Sequence, residues 1–251
     1  MDLWTAIAER ISTASGARFV ARGRHSLGGG CINRAEVLEG DNARYFVKLN
    51  DAARLAMFEA EAAGLSEIVE TGAIRAPRPV CSGVHGDQAF LVLEYLALAS
   101  GHGRSQELLG QQLARLHAPR QAQFGWRMDN TIGSTPQINT PSPDWLGFWR
   151  ERRLGFQLAL AARHGYGGAL QRKGERLLGE LPAFFSGYTP YPSLLHGDLW
   201  SGNYAADEQG RPVIFDPAVY YGDREADLAM TELFGGFEAR FYRAYREALP
   251  L

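Results

Sequence analysis

Two cysteines, Cys31 and Cys81, are all that the 251 residues contain. That is too few for a disulfide scaffold or a cysteine zinc site. Long apolar runs are also missing. The most apolar stretch, "AFLVLEYLALA", is too short to span a bilayer and carries Glu94. Neither sign of charge is in excess. A formal net charge of −2 argues against a general nucleic-acid or membrane-surface binder. Nothing at the start resembles a signal peptide, since "MDLWTAIAERI" spaces Leu3, Trp4, Ile7 and Ile11 as one face of an amphipathic helix. These absences leave a reducing cytoplasm as the expected setting. Internal repeats and low-complexity tracts are absent too. What remains is ordinary for a soluble globular protein, with 45% hydrophobic and 22% charged residues. The length allows one large domain or two lobes that share a core.

The first third alternates apolar and polar residues in "RFVARGRHSLGGGCINRAEVLEG" and "ARYFVKLN". This predicts strands around a glycine cluster and the turn "EGDNA". A helix is expected over roughly Ala52 to Val69, with Leu55, Phe58, Ala62, Leu65, Ile68 and Val69 on one side. Two short strands follow, around "PRPVCSGV" and "QAFLVLEYL". Between them His85-Gly86-Asp87 reads as a turn, because Gly and Asp are turn formers between apolar runs. "LALASGHGRS" reads as a connector. "SQELLGQQLARLHAP" predicts a helix capped by Ser105 and ended by Pro119. "TPQINTPSPDW" is a loop by composition. "DWLGFWRERRLGFQLALAARHG" and "ERLLGELPAFF" predict two more helices.

His-Gly-Asp returns in "LLHGDLWSGNY", and here the surroundings differ. Asp198 and Asn203 stand on one small-residue loop. Asp216 follows a predicted hairpin, made of the turn "ADEQG" and the strand "PVIF". A hairpin returns the chain to its start, so the three side chains can converge. One carboxylate and one amide oxygen suit Mg²⁺, a hard ion that prefers oxygen. The other carboxylate can position a hydroxyl and accept its proton. This is the phosphoryl-transfer arrangement of the protein-kinase type, with Asp216-Pro217-Ala218 in the place of Asp-Phe-Gly.

That motif predicts other parts, and they occur in order. "SLGGGCIN" supplies Gly28, Gly29 and Gly30, whose backbone N–H groups can approach phosphates closely. Lys48 follows in the next strand. Its partner is Glu59 or Glu61. On a helical wheel Glu61 lies about 60° from the centre of the apolar face and Glu59 about 100°, which favours Glu61. Glu94, Tyr95 and Leu96 form a hinge whose backbone would meet adenine. His196 reads as a hydrogen-bonded core histidine that braces the loop. Each feature alone is weak, and their order carries the reading. Cys31 follows the glycines directly. It is either a small apolar residue packed under the loop or a thiolate favoured by the N–H groups and open to oxidation. In the second case two such loops could join by a disulfide. Cys81, in a predicted strand, is expected to be buried.

"LLHGDLWSGN" together with "FDPAVYYGDREADLAMTELFGGF" resembles the fructosamine kinase, or ketosamine kinase, family. That family is a branch of the aminoglycoside phosphotransferase and choline kinase group. Trp200 and Tyr220-Tyr221-Gly222 are the most discriminating pieces. The resemblance implies an α+β, bilobal protein-kinase-like fold. An N-terminal lobe (1–95) would bind nucleotide through an antiparallel sheet with one key helix. A mostly helical lobe (96–251) would hold the catalytic and substrate groups. It implies ATP-dependent, Mg²⁺-assisted phosphorylation of a sugar hydroxyl on a fructosamine or ribulosamine, free or protein-bound. The unstable product releases the amine, which amounts to deglycation. By position, Asp198 would be the base, Asn203 and Asp216 the Mg²⁺ ligands, and Lys48 with Glu61 the phosphate contact. Trp200 would wall the sugar-amine or support the loop. Asp227 would accept hydrogen bonds from the loop backbone or sit as a helix N-terminal charge. Apart from the resemblance, the chain is expected as a monomer or as a dimer linked through Cys31, and the sequence does not decide the oligomeric state.

There are two departures. Asp223 stands where histidine is more usual, and further C-terminal helices are expected beyond "REALPL". Another small-molecule kinase of this fold, acting on choline, an aminoglycoside or a hydroxy-amino acid, is the alternative. A pseudokinase is disfavoured by the intact Lys48, Asp198, Asn203 and Asp216.

Overall fold

Period-two alternation decides which side of the first sheet each residue serves. The structure is a computed structural model and describes residues 2–27 and 33–251. Helix α1 (Leu3–Ser15) begins where the Asp2 carboxylate accepts from the N–H groups of Trp4 and Thr5. Strands β1 (Ala21–Leu27), β2 (Arg34–Gly40) and β3 (Arg44–Asp51) follow, then helix α2 (Leu55–Glu70). Strands β4 (Pro79–His85) and β5 (Gln88–Glu94) complete an antiparallel sheet in the order β1-β2-β3-β5-β4. Val47 and Leu49 of β3, with Phe90 and Val92 of β5, pack on Ile7 and Ile11 of α1. Residues of the other parity, Ala89, Leu91 and Leu93, pack with Phe58, Leu65 and Ile68 of α2. Lys48 shares that second parity, so the strand aims it towards α2.

The chain then runs through β6 (Leu98–Ala99), α3 (Arg104–His117), β7 (Asn130–Ile132) and β8 (Thr135–Gln137). Helices α4 (Trp145–Phe148), α5 (Gly155–Arg163) and α6 (Ala169–Phe184) come next. Strands β9 (Ser193–Leu195), β10 (Tyr204–Asp207), β11 (Pro212–Ile214) and β12 (Tyr220–Gly222) precede α7 (Glu225–Glu232) and α8 (Ala239–Ala248). β10 pairs with both β11 and β6, and β9 pairs with β12. The architecture is α+β, an antiparallel sheet followed by a mainly helical part. One buried cluster runs from α2 and β5 through α3 to Trp145, Leu195 and Tyr245, so both parts share a core. Among the described residues no helix is long and apolar enough to cross a membrane.

Several local expectations are corrected. Ser105 does not cap α3, because the cap position is Gly103 with φ 59°. Ser105 lies inside the helix, buried, and accepts from the Tyr204 hydroxyl at 2.7 Å. The stretch read as a loop from Thr135 opens with β8, which pairs with β7 in a hairpin. The following helix is broken by a π-helical segment, Trp149–Leu154, between α4 and α5. That segment sets the Arg153 guanidinium 4.1 Å from the Tyr220 ring centroid, a cation–π contact. The connector after β5 contributes β6, which pairs with β10 across the fold. Cys81 is in a strand as expected but is only half-buried.

Helix α8 crosses α3 at Gly110, where an added Cβ would land on the Phe241 backbone carbonyl. Backbone cannot yield as a side chain does. Gly110→Val is expected to lower stability by about 1–3 kcal/mol, the usual overpacking cost. Urea unfolding measures it, and an unchanged midpoint would contradict the close approach.

Candidate active site

Lys48 sits at the centre of the site. Its side chain is buried, and Nζ donates to Glu61 Oε1 and to Asp216 Oδ1, each at 2.6 Å. Burial opposes the ammonium charge, but the two carboxylates outweigh it and raise the Lys48 pKa. Burial also lifts the Glu61 carboxyl, with Lys48 opposing and Asp216 adding to the shift. Glu59 is exposed. The helical phase that distinguishes the two glutamates is therefore visible in the structure.

Asp216 lies just beyond β11 with φ 56°, the one positive φ at a non-glycine among the described residues. A backbone held in that region costs energy, and its surroundings must impose it. Here the Asn203 carbonyl accepts from the Phe215 N–H at 3.1 Å, and the His196 carbonyl accepts from the Ala218 N–H at 2.8 Å. The Asp216 side chain is left half-exposed beside Lys48.

The loop after β9 is held from beneath. Asp227, in the first turn of α7, accepts from the N–H groups of His196 (2.7 Å) and Gly197 (2.8 Å). Burial opposes its charge, but the bond to His117 and those from the loop outweigh this and hold the carboxyl below its usual range. Gly197 has φ 81°, and a Cβ there would strike the Ala218 carbonyl. His196 is fully buried. Its Nδ1 accepts from the Asp198 N–H at 3.2 Å, so Nε2 carries the proton and donates to the Phe215 carbonyl at 3.0 Å. Burial pushes its pKa down, so the imidazole is neutral.

Asn203 Nδ2 donates to the Asp198 carbonyl at 2.8 Å and to Asp198 Oδ2 at 3.2 Å. With the nitrogen so used, the amide oxygen is the group left to meet a cation. Burial pushes the Asp198 carboxyl up to about 6, against the hydrogen bond from Asn203. A carboxylate of that basicity is ionised at neutral pH yet accepts a proton readily.

Asp198, Asn203, Asp216, Lys48, Glu61 and Trp200 all line one cavity of about 590 Å³. Leu27, Ala35, Leu93, Leu96, Leu98 and Phe215 also line it, apolar groups of the kind that suit a flat ring. Glu94 also lines it, but its N–H is taken by the Arg78 carbonyl at 2.8 Å and its carboxylate by Arg75. That removes one of the backbone groups expected to meet adenine. Tyr95 is not among the lining residues, and its ring lies 4.3 Å from the Arg44 guanidinium. Trp200 lines the cavity, and its ring crosses Gly202 and meets Phe234 edge-on at 5.5 Å. Gly28, Gly29, Gly30 and Cys31 lie outside the described residues.

Sequence reasoning missed two groups. His117 and Tyr245 lie beneath Asp227, with His117 Nε2 3.2 Å from Asp227 Oδ2 and Nδ1 2.9 Å from the Tyr245 hydroxyl. The β7–β8 hairpin reaches the segment after Asp216, since Asn130 and Gln137 donate to the Val219 and Ala218 carbonyls. Asn130 also lines the cavity. His117 closes the periodic stretch "LLGQQLARLH", where it looks like any helix-end histidine. The hairpin lies in a stretch whose polar composition resembles a loop.

Two outcomes follow from this geometry. Asp227→Ala leaves two loop N–H groups without their acceptor. It is expected to cost about 1–3 kcal/mol of stability and to lower kcat at least tenfold; an enzyme with unchanged kcat would refute the brace. Burial pushes the Cys81 thiol up to about 11. In a Cys31→Ser protein, alkylation by iodoacetamide is therefore expected to be slow at neutral pH. It should quicken about tenfold per pH unit up to about pH 10, because the thiolate forms only as pH approaches the pKa. A fast, pH-independent reaction would contradict the burial.

A sequence model described as fructosamine kinase matches residues 3–251. A protein of Synechocystis sp. named a probable ketoamine kinase is 48% identical over 252 residues, covering 98% of this chain and 83% of that protein. The chloroplastic protein-ribulosamine 3-kinase of Arabidopsis thaliana is 45% identical over 229 residues, covering 90% of this chain and 69% of that protein. A crystal structure from Haemophilus somnus, assigned as a fructosamine-3-kinase, superposes with a TM-score of 0.90 at 29% identity, over 99% of this chain and 83% of the other. The lysine, loop and hairpin geometry of a phosphotransferase thus comes with a match that runs almost end to end, and the chain belongs to the fructosamine kinase family.

Proposed function

We propose that this enzyme transfers the γ-phosphoryl group of ATP to a sugar hydroxyl of a ketosamine, fructose- or ribose-derived. The phosphorylated adduct then releases its amine, so the net effect is deglycation. The observation that carries this reading is the meeting of Lys48, Asp198, Asn203 and Asp216 on one cavity that is also lined by apolar side chains. The donor set fits Mg²⁺: hard oxygens from a carboxylate and an amide, beside a buried cation that already neutralises part of the charge. Bound there, Mg²⁺ would supply charge neutralisation for the phosphates. Lys48, held by Glu61 and Asp216, meets the phosphates without having to be ordered at the moment of reaction. Asp198 accepts the proton of the attacking hydroxyl, and Asn203 fixes its orientation. Trp200 offers the flat face against which a sugar-amine can pack. Choline or an aminoglycoside as acceptor would need the same machinery, and the family match favours the ketosamine.

Asp198→Asn is expected to lower kcat by about 10²–10⁴-fold, the usual worth of a general base, while calorimetry still detects ATP binding. Asp216→Asn should instead raise the Mg²⁺ concentration needed for half-maximal rate. Near-normal turnover by Asp198→Asn would remove Asp198 from the role. In a panel of ketosamines, choline and aminoglycosides, a ketosamine should have the highest kcat/KM, and mass spectrometry should place the phosphate on its sugar.

A further inference from the structure

Helix α2 carries a second inward carboxylate, Glu67, that takes no part in the Lys48 contact. Its Oε2 accepts from the Trp126 indole N–H at 2.6 Å, and its Oε1 accepts from the Tyr221 hydroxyl. Arg127 is 3.8 Å away and largely exposed, so it adds little. The two donors sit on segments already tied together. Gly125 and Tyr221 exchange both backbone hydrogen bonds, at 2.9 and 2.8 Å. Tyr221 also lies opposite Leu194 in the β12–β9 pair, and β9 leads straight into His196-Gly197-Asp198. Glu67 therefore joins the helix that bears Glu61 to the strand pair that bears Asp198.

The geometry makes this grip more than a packing contact. At 3.6 residues per turn, Glu61 and Glu67 lie about 120° apart around α2 and about 9 Å apart along it. A hold at Glu67 thus resists rotation of the helix, to which the Glu61–Lys48 contact is sensitive. Nearby, a Cβ on Gly64 would come within 2.9 Å of Val219, so α2 also lies tight against the segment after Asp216. Hydrogen bonds are directional, and two of them on one carboxylate hold a rotation that packing alone would let slip.

We propose that Glu67 is a positioning residue for phosphoryl transfer: by gripping Trp126 and Tyr221 it fixes the rotation of α2 and hence the Glu61–Lys48–Asp216 contact. The inference rests on the phosphotransferase reading above. It is tested by a double-mutant cycle between Glu67→Gln and Glu61→Gln. Two quantities are read: kcat with the best ketosamine, and ATP Kd by calorimetry, which needs no acceptor. In the wild-type background Glu67→Gln should lower kcat about tenfold and weaken ATP binding about fivefold, with the ketosamine KM changed less than twofold. In the Glu61→Gln background the same substitution should cost less than twofold in both. A merely structural role would give equal losses in the two backgrounds, and that result overturns the proposal, as does a Glu67→Gln enzyme with unchanged kcat and ATP Kd. Should Glu67→Gln fail to fold, Tyr221→Phe takes its place in the cycle, since it leaves the Trp126 bond intact. If no ketosamine is turned over by the wild type, the substrate reading fails, and the ATP Kd arm still decides the role of Glu67.

Discussion

The buried Lys48 ammonium and its two carboxylates form the contact on which the rest of the molecule depends. One member comes from the sheet, one from α2 and one from the segment after β11. Taking such charges out of water is costly, and their attraction compensates only when the geometry is right. A contact of this kind specifies arrangement more than it adds stability. It fixes the sheet, the helix and the catalytic segments at one point. On the reading proposed above, a cation held by Asn203 and Asp216 would enter with the phosphates of the nucleotide.

The catalytic loop depends on a different device. Its backbone turns sharply at Gly197, and the two N–H groups exposed by the turn point at Asp227. Asp227 in turn rests on His117, and His117 on Tyr245 in the last helix. The chain of contacts runs from the loop that carries Asp198 to α8 through buried groups, each with a partner. Buried polar groups are costly when unpaired and rigid when paired. The loop is therefore stiff beneath Asp198, while Asp198 itself stays open to the cavity.

Much of this was legible in the sequence wherever local period or order was the signal. Alternation in "ARYFVKLN" aims Lys48 towards α2, and helical phase separates Glu61 from Glu59. The run from Asp198 to Asp216 needed only a hairpin to close. Contacts set by the folded chain as a whole were not legible. Ser105 has the composition of a cap, but a buried Tyr204 hydroxyl claims it. Tyr95 lies in the hinge by order, yet the cavity is lined by its neighbours on either side. Glu94 loses its N–H to Arg78, a pairing that no spacing announces. His117 and Tyr245 carry no local signature because their significance comes from Asp227, far along the chain. The β7–β8 hairpin is too short to show a period.

The two His-Gly-Asp tripeptides show how little of the chemistry belongs to the residues alone. In both, the glycine takes a positive φ, 60° at Gly86 and 81° at Gly197. Each backbone therefore makes a tight turn that L side chains resist. At the first, the turn joins β4 to β5, and the Asp87 carbonyl accepts from the Ala52 N–H at 2.8 Å. A Cβ on Gly86 would meet nothing within 4 Å, so that turn stands in the open and water surrounds it. At the second, the turn is pressed against Ala218, anchored by Asp227 and roofed by the cavity. Water solvates the carboxylate of the exposed turn. Burial at the other raises the basicity of Asp198 and fixes its direction. Removal from water, together with an amide five residues on, is what separates the second aspartate from the first.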